Sequence, residues 1–481
     1  MDDRVLENLR KKKRFETTRE TKNFSVKHPT HKSFVNPPQP AIRTIESSYK
    51  KTILPSGIRV VSEEIPHVRS VSIGIWINTG SRDEDASSNG ISHFIEHMVF
   101  KGTSNRSVKE IAQSLESVGG YLNAFTGKEH TCYYARVLDE YSELALDVLS
   151  DLVKNATFSE KDLEKEKGVV IEELKNAEDD PDDIIHDYFD KALFGYHPLG
   201  FPVIGTEPNL RSFVQTDLKT HLRNHYIPRR MVIAAAGNIG HTTLVKLAEK
   251  YLDGLSSDST NGSSARARPR LHKAERQEFA KPIQQAHVCL GSQAFSIRSK
   301  QRYPMLVLNT LLGDGMSSRL FQNIREKYGF AYSVYSYVSM MSDAGVFGSY
   351  IGTDRNHISA SIDLIMRELE KLKTKPVSHA ELKRTKAQLK GSMMLSLESI
   401  PNRMMRLGSS ELHLNALQPI DTIVKQIDAV RQDEIQAIAQ ELFVEKKLST
   451  VIFLPEGKSA DRLPAGESNG TTRNRSKSRR A

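Results

Sequence analysis

The ten residues 91–100, ISHFIEHMVF, constrain this chain more than any other segment. Their apolar residues recur at helical spacing, which predicts a buried helix. His93 and His97 are four residues apart and therefore share one face of that helix, where both imidazoles can bind one cation. Zn²⁺ is the natural ion for two imidazoles and one carboxylate, and a catalytic zinc site keeps one position open for water.

Glu96 completes a His-x-x-Glu-His pattern, the reverse of the HExxH zinc motif. A carboxylate beside a metal that does not bind it can accept the proton of the attacking water. Glu96 is therefore the candidate general base. The pattern leaves a structural alternative open, in which two hydrogen-bonded core histidines lie next to a surface glutamate.

The third ligand should be a carboxylate on a separate helix. The segment 159–176 is a strong helix candidate, with Ser159 as a possible N-cap. Glu166 and Glu173 are seven residues apart on one face, so one could bind the metal and the other could support the site. Spacing does not choose between them, and Glu160, Glu164 and Glu172 are competitors.

The rest of the chain divides into two halves with similar element order. A chain of 481 residues is longer than a domain with one hydrophobic core usually is, and its length suits two domains. The Ser-, Gly- and Arg-rich stretch 254–272 predicts a linker between a zinc-binding domain at 50–253 and a second, diverged domain at 273–455 that lacks His-x-x-Glu-His. We expect disordered basic tails at 1–49 and 456–481. Interleaved strands and helices predict an α+β fold, each half a largely antiparallel sheet with helices on one face.

The charge distribution narrows the classes of partner. The formal net charge is +9, yet residues 1–50 contribute +6 and residues 455–481 contribute +4, which leaves about −1 for the body. A nucleic-acid-binding domain should carry its own positive surface, so the folded body is not expected to bind nucleic acid. No apolar run reaches the roughly 18 residues of a membrane helix.

Cysteine content and the absence of an export signal bear on the compartment. Cys132 and Cys289 cannot build a disulfide framework, which favours a reducing environment. The N-terminal residues contain no apolar signal core. We therefore predict a cytoplasmic location, with an organellar matrix as the alternative.

Five segments together resemble the pitrilysin family of zinc metallopeptidases (inverzincins), in particular bacterial processing proteases and the β subunit of the mitochondrial processing peptidase. The resemblance extends over about residues 50–455. The matching segments are GSRDE (80–84), NGISHFIEHMVFKGT (89–103), GGYLNAFTGKEHTCYY (119–134), EKGVVIEELK (166–175) and FGYHPLGFPVIGT (194–206).

The resemblance implies one zinc ion per chain, bound by His93, His97 and Glu173. It implies Glu96 as the general base and Glu166 in a supporting role. It also implies that an extended substrate adds to an edge strand and that two residues of the second half reach the active site. By this resemblance the strand residues are Asn123, Ala124 and Phe125, and the second-half residues are Arg325 and Tyr332.

The implied activity is that of a zinc-dependent endopeptidase acting on peptides or on unfolded or presequence segments. Because the family encloses its site between four such domains and this chain has two, the resemblance implies a clamshell-type homodimer. Two alternatives remain, a non-catalytic structural subunit of the same fold and a scaffold that presents basic tails. Neither the natural substrate nor the choice between presequence processing and peptide degradation can be inferred from the sequence.

Overall fold

The computed structural model describes residues 49–255, 266–271 and 273–456. Most of both expected tails and the linker residues 256–265 and 272 lie outside the described residues. The first strand begins at Tyr49, one residue before the predicted domain boundary. Among the described residues, no helix is both long and apolar enough to cross a membrane.

A six-stranded sheet forms the first half, in the order β1-β2-β6-β3-β5-β4. All neighbouring strands are antiparallel except β2 and β6. The central strands are rich in Val, Ile and Ala and are almost wholly buried, as expected of strands covered on both faces. The strands are β1 (Tyr49–Ile53), β2 (Arg59–Glu64), β3 (Ser70–Ile77), β4 (Tyr121–Thr126), β5 (Thr131–Leu138) and β6 (Met231–Gly237).

The second half repeats this arrangement with five strands, in the order β7-β11-β8-β10-β9. Only β7 and β11 are parallel, so both sheets are mainly antiparallel and the predicted fold class is confirmed. The edge strands β4 and β9 occupy corresponding positions. The strands are β7 (Arg276–Lys281), β8 (Ala286–Ala294), β9 (Ala331–Met340), β10 (Gly345–Thr353) and β11 (Ser449–Pro455).

Fourteen α-helices of the described residues pack around the two sheets. In the first half they are α1 (Ile91–Val99), α2 (Val108–Glu116), α3 (Ser142–Asn155), α4 (Glu160–Glu178), α5 (Pro181–Phe194), α6 (Glu207–Ser212), α7 (Gln215–His225) and α8 (His241–Leu252). In the second half they are α9 (Arg302–Gly313), α10 (Ile358–Thr374), α11 (His379–Ser396), α12 (Ile400–Leu414), α13 (Ile420–Ala429) and α14 (Gln432–Leu442).

One helix of each half packs against the sheet of the other half. Helix α5 of the first half packs on the outer face of the second sheet, where the ring of Tyr188 meets Phe279 and Phe453 edge-on. Helix α12 of the second half crosses the outer face of the first sheet, with Met404 and Leu407 in the same apolar cluster as Trp76. The second face of each sheet is therefore covered by a helix of the other half, an arrangement that the sequence did not predict.

The described end of the linker region is held in a buried ion network. The side chain of Arg82, only 1% exposed, lies 2.6 Å from carboxylate oxygens of both Glu129 and Asp343. Arg266 pairs with Asp83 at 2.7 Å, and Arg82 also donates to the carbonyl of Ala267. Because Asp343 belongs to the β9–β10 turn, the network ties the two halves together around residues 266–267.

The candidate zinc site

Helix α1, which carries both histidines, is preceded by an N-cap residue that has no side chain with which to cap it. Its N-cap is Gly90, in a left-handed conformation. The buried carboxylate of Glu84 takes over the capping role, accepting hydrogen bonds from the backbone N–H groups of Gly90 at 2.8 Å and Ser92 at 2.9 Å. The negative charge also interacts favourably with the helix N-terminus. The loop that contains GSRDE thus fixes the start of the histidine helix.

A second glycine, Gly205, explains how the turn at Gly90 can lie so close to the segment that contains residue 205. Gly90 has φ +100° and Gly205 has φ +89°, both in the region that favours glycine. A Cβ at position 90 would lie 2.7 Å from the Cα of Gly205. The FGYHPLGFPVIGT segment therefore packs directly on the start of α1.

His93, His97 and Glu173 come together at the contact of α1 with α4. One ligand atom from each lies within 4.8 Å of the others. The Nε2 atom of His97 is 3.2 Å from Glu173 Oε2, and the Nε2 atom of His93 is 3.7 Å from Glu173 Oε1. Ligands about 2.1 Å from a tetrahedral zinc ion are about 3.4 Å apart. Donor chemistry and spacing both fit Zn²⁺.

The far nitrogen of His97 is fixed by a buried carboxylate. Glu166, 2% exposed, places Oε1 3.1 Å from His97 Nδ1, and its other oxygen lies 2.7 Å from Nζ of Lys101. Burial raises the pKa of Glu166, but its hydrogen bonds to His97 and Lys101 outweigh burial and lower the pKa. An ionised Glu166 orients the imidazole and increases its basicity as a ligand.

The two histidines have different protonation preferences. Burial lowers the pKa of His93 to about 4, assisted by the positive charge of His97, so its imidazole is neutral at pH 7. Burial also opposes the charge on His97, but hydrogen bonds to Glu166 and Glu173 raise its pKa to about 9. The proton on His97 offsets the charge of the nearby carboxylates. Because a metal ligand must be deprotonated, a zinc ion bound here would displace that proton.

Glu96 lies on the same helix, and the hydroxyl of Thr126 donates to its Oε2 at 2.5 Å. Burial raises the pKa of Glu96, although the Thr126 hydrogen bond and the charge of His97 act in the opposite direction. Thr126 is the last residue of β4. The candidate base is therefore connected to the end of the edge strand.

The three predicted substrate-binding residues lie on β4, which is an edge strand as expected. The side chain of Asn123 accepts a hydrogen bond from the backbone N–H of Ala124 at 2.8 Å. Side chains alternate along a strand, so Phe125 points to the face opposite Thr126 and packs 5.6 Å from the ring of Trp76. The Phe125 side chain is therefore part of the outer-face packing and does not face Glu96.

Arg325 and Tyr332 lie beside each other in the second half, away from the histidines. The Arg325 guanidinium is 5.4 Å from the centre of the Tyr332 ring. The Tyr332 side chain is 79% exposed. Among the described residues, no hydrogen bond or ion pair joins this pair to His93, His97 or Glu173. Within one chain the structure does not bring them to the site.

The competing glutamates are not part of the ligand group. Glu164 and Glu172 pair with Lys167 and Lys175 on the surface of α4, and Glu160 is exposed in its first turn. Sequence reasoning missed three contributors, Glu84, Lys101 and Thr126. All three lie within the segments that carry the family resemblance, and that position was the signal in the sequence that could have identified them. No spacing rule assigns them a role.

Comparisons with known proteins identify the family. Residues 59–207 match the family described as Insulinase (Peptidase family M16), and residues 212–389 match the Peptidase M16 inactive domain. The chain is 45% identical over 396 residues to YmxG of Bacillus subtilis, named an uncharacterized zinc protease, covering 82% of this chain and 96% of that one. An uncharacterized zinc protease of Streptomyces coelicolor is 39% identical, covering 86% and 91%.

Two solved structures share the fold. A protease from Helicobacter pylori superposes with a TM-score of 0.80 at 23% identity, covering 85% of this chain and 100% of that one. A structure from Pseudomonas fluorescens described as a peptidase M16 inactive domain gives 0.79 at 20% identity, covering 86% and 100%. With both halves matched in order and a zinc-compatible His-x-x-Glu-His site in the first, the chain belongs to the M16, or pitrilysin, family of zinc peptidases.

Proposed function

We propose that this chain is a zinc-dependent endopeptidase that cleaves peptides or unfolded segments. The convergence of His93, His97 and Glu173, with ligand atoms within 4.8 Å of one another and Glu96 on the same helix, carries this proposal. The names of the relatives support a zinc peptidase in general. The assignment of each residue is our own.

The metal and the base have separate roles. A zinc ion bound by His93, His97 and Glu173, one per chain, would supply Lewis-acid chemistry by acidifying water and polarising the scissile carbonyl. Glu96 accepts the proton of the attacking water and returns it to the leaving amine. Burial raises the pKa of Glu96, which makes its carboxylate a better acceptor for the proton of water. Glu166 holds the ring of His97 and does not touch the substrate.

The open edge of β4 supports recognition of an extended substrate. A peptide can add to an edge strand through main-chain hydrogen bonds, which explains how varied sequences can be bound. In the structure the Asn123 side chain occupies the N–H of Ala124. Substrate addition therefore requires Asn123 to turn away, and its amide is then free to contact the peptide.

A homodimer would complete the site. Among the described residues, no hydrogen bond or ion pair joins Arg325 or Tyr332 to the histidines of their own chain, and Tyr332 is largely exposed. We assign them to the site of a second copy, where Arg325 contacts the substrate carbonyl and Tyr332 donates to the developing oxyanion.

The unpaired cysteines support a reducing compartment, and a cytoplasmic location stays a prediction.

Substitution of two neighbouring glutamates on α4, Glu173 and Glu172, tests the assignment of the third zinc ligand. Glu173→Gln removes a charged ligand, so we expect zinc content to fall well below one per chain, with loss of cleavage of a quenched fluorescent peptide library. Glu172→Gln is the matched control, because Glu172 is exposed and pairs with Lys175. Equal zinc content and cleavage in the two variants would refute the assignment of Glu173. A wild type that binds zinc without cleaving would favour a non-catalytic subunit.

A further inference from the structure

A pocket in the second half has positively charged walls and lies outside the candidate zinc site. Its volume is about 490 Å³, within the range of small-molecule sites. Arg298 and Lys300 line it from the loop that leads into α9, and Arg302 lines it from the first position of that helix. Residues of α13 and α14 also line it. His93, His97 and Glu173 are not among its lining residues. We propose that this pocket binds a phosphate-bearing small molecule.

The positive charges of this pocket outnumber the carboxylates of its lining. Among the described residues, no carboxylate lies within 4 Å of the charged nitrogens of Arg298, Lys300 or Arg302. Glu434, a carboxylate in the lining, accepts a hydrogen bond from the backbone N–H of Arg431 at 2.8 Å. Three cations against one carboxylate leave the lining with a formal charge of +2, which a bound anion would balance.

A fourth cation adds to the same field. Arg406 of α12 donates to the carbonyl of Gln418, a lining residue. Burial lowers the pKa of Arg406, and the positive charges of Arg403 and Arg302 contribute in the same direction, although Glu63 opposes them. Arg406 therefore adds a positive charge next to the pocket, which Glu63 partly offsets.

The geometry of the donors favours phosphate. Arg298 uses Nε to bind the carbonyl of His413 at 2.8 Å, which holds the guanidinium in place and leaves its outer nitrogens available. Arg302 is held over the ring of Tyr303 at 5.2 Å. Arginine forks match phosphate oxygens.

The remaining lining suits an organic group attached to the phosphate. Ile297, Pro304 and Val430 provide apolar surface beside Gln418 and Gln426. The pocket is much larger than one phosphate group, so it has room for such a group. Among the described residues, no strand lines it, so these residues offer no edge to which an acidic peptide could add as a strand.

Calorimetric titration of pyrophosphate tests this proposal. The pocket variant carries Arg298→Gln, Lys300→Gln and Arg302→Gln. The control carries Lys246→Gln, Lys375→Gln and Lys446→Gln, which change exposed cations outside the pocket. Beyond any pyrophosphate bound at zinc, we expect one per wild-type chain in this pocket, at least about tenfold weaker binding there in the pocket variant, and unchanged binding in the control.

A second protein separates pocket binding from zinc chelation. Pyrophosphate binds zinc, so Glu173→Gln is titrated in parallel, and its pyrophosphate affinity should match that of wild type. The proposal is overturned if wild type does not bind pyrophosphate, if the pocket variant binds as tightly as the control, or if binding is lost with Glu173. It is also overturned if the three substitutions weaken the binding of a polyglutamate peptide but not the binding of pyrophosphate.

Discussion

Thr126 controls the proton affinity of the candidate base. Its hydroxyl stabilises the ionised form of Glu96, so it lowers a pKa that burial raises. Thr126→Val removes that hydrogen bond and should raise the pKa of Glu96. Because the base must be ionised to accept a proton, we expect the acidic limb of the kcat/KM profile to move to higher pH. Thr126→Ser keeps the hydroxyl and should leave the limb near its wild-type position.

A pH series of peptide cleavage by the three proteins checks this relation. The two variants should differ mainly below neutral pH and converge where Glu96 is ionised in both. An acidic limb that is identical in all three proteins would show that Glu96 is not the group titrating in that range. A shift to lower pH in Thr126→Val would contradict the sign of the effect.

At the scale of elements, the local patterns were predicted well. The helix that carries His-x-x-Glu-His is observed at Ile91–Val99, and Ser159 caps α4 by accepting from the backbone N–H of Asp162. These features depend on spacing and capping within a few residues, which a single sequence displays directly.

The packing between elements was harder to predict. An amphipathic pattern shows that α5 and α12 each have an apolar face, but not which sheet covers that face. Among site residues, Glu84 and Thr126 act through contacts between distant segments, which spacing along the chain does not reveal.

Gly408 tests the exchange of helices between the halves. It lies in the interior of α12, and a methyl group there would overlap the indole ring of Trp76 on the first sheet. We expect Gly408→Ala to cost about 1–3 kcal/mol through overpacking. Gly391 of α11 is the matched control, because a methyl group there meets nothing within 4 Å. Gly391→Ala should stabilise by about 0.5–1 kcal/mol through helix propensity.

Urea unfolding of these two variants measures both effects. The midpoint should fall for Gly408→Ala and rise slightly for Gly391→Ala. If both substitutions raised the midpoint, α12 would not lie against Trp76 in solution, and the description of the outer face of the first sheet would be wrong.

For the whole molecule, the dimer proposal makes a quantitative prediction about mixed subunits. Glu96→Gln and Tyr332→Phe should each be inactive alone. If Tyr332 acts on the partner's site, half of a randomly mixed population is heterodimeric and each heterodimer regains one intact site. Mixing the variants should therefore restore about a quarter of wild-type activity. No recovery after subunit exchange, with the native mass of a monomer, would refute action between subunits.

The central claim is that Glu96 is the base of a zinc peptidase. The most direct measurement pairs zinc content with cleavage of a quenched fluorescent peptide library, comparing wild type with Glu96→Gln. Because Glu96 is not among the grouped ligand atoms, the variant should retain about one zinc per chain. Its cleavage rate should fall by at least about 10²-fold. Equal cleavage by the two proteins, or a wild type without zinc, would contradict the account.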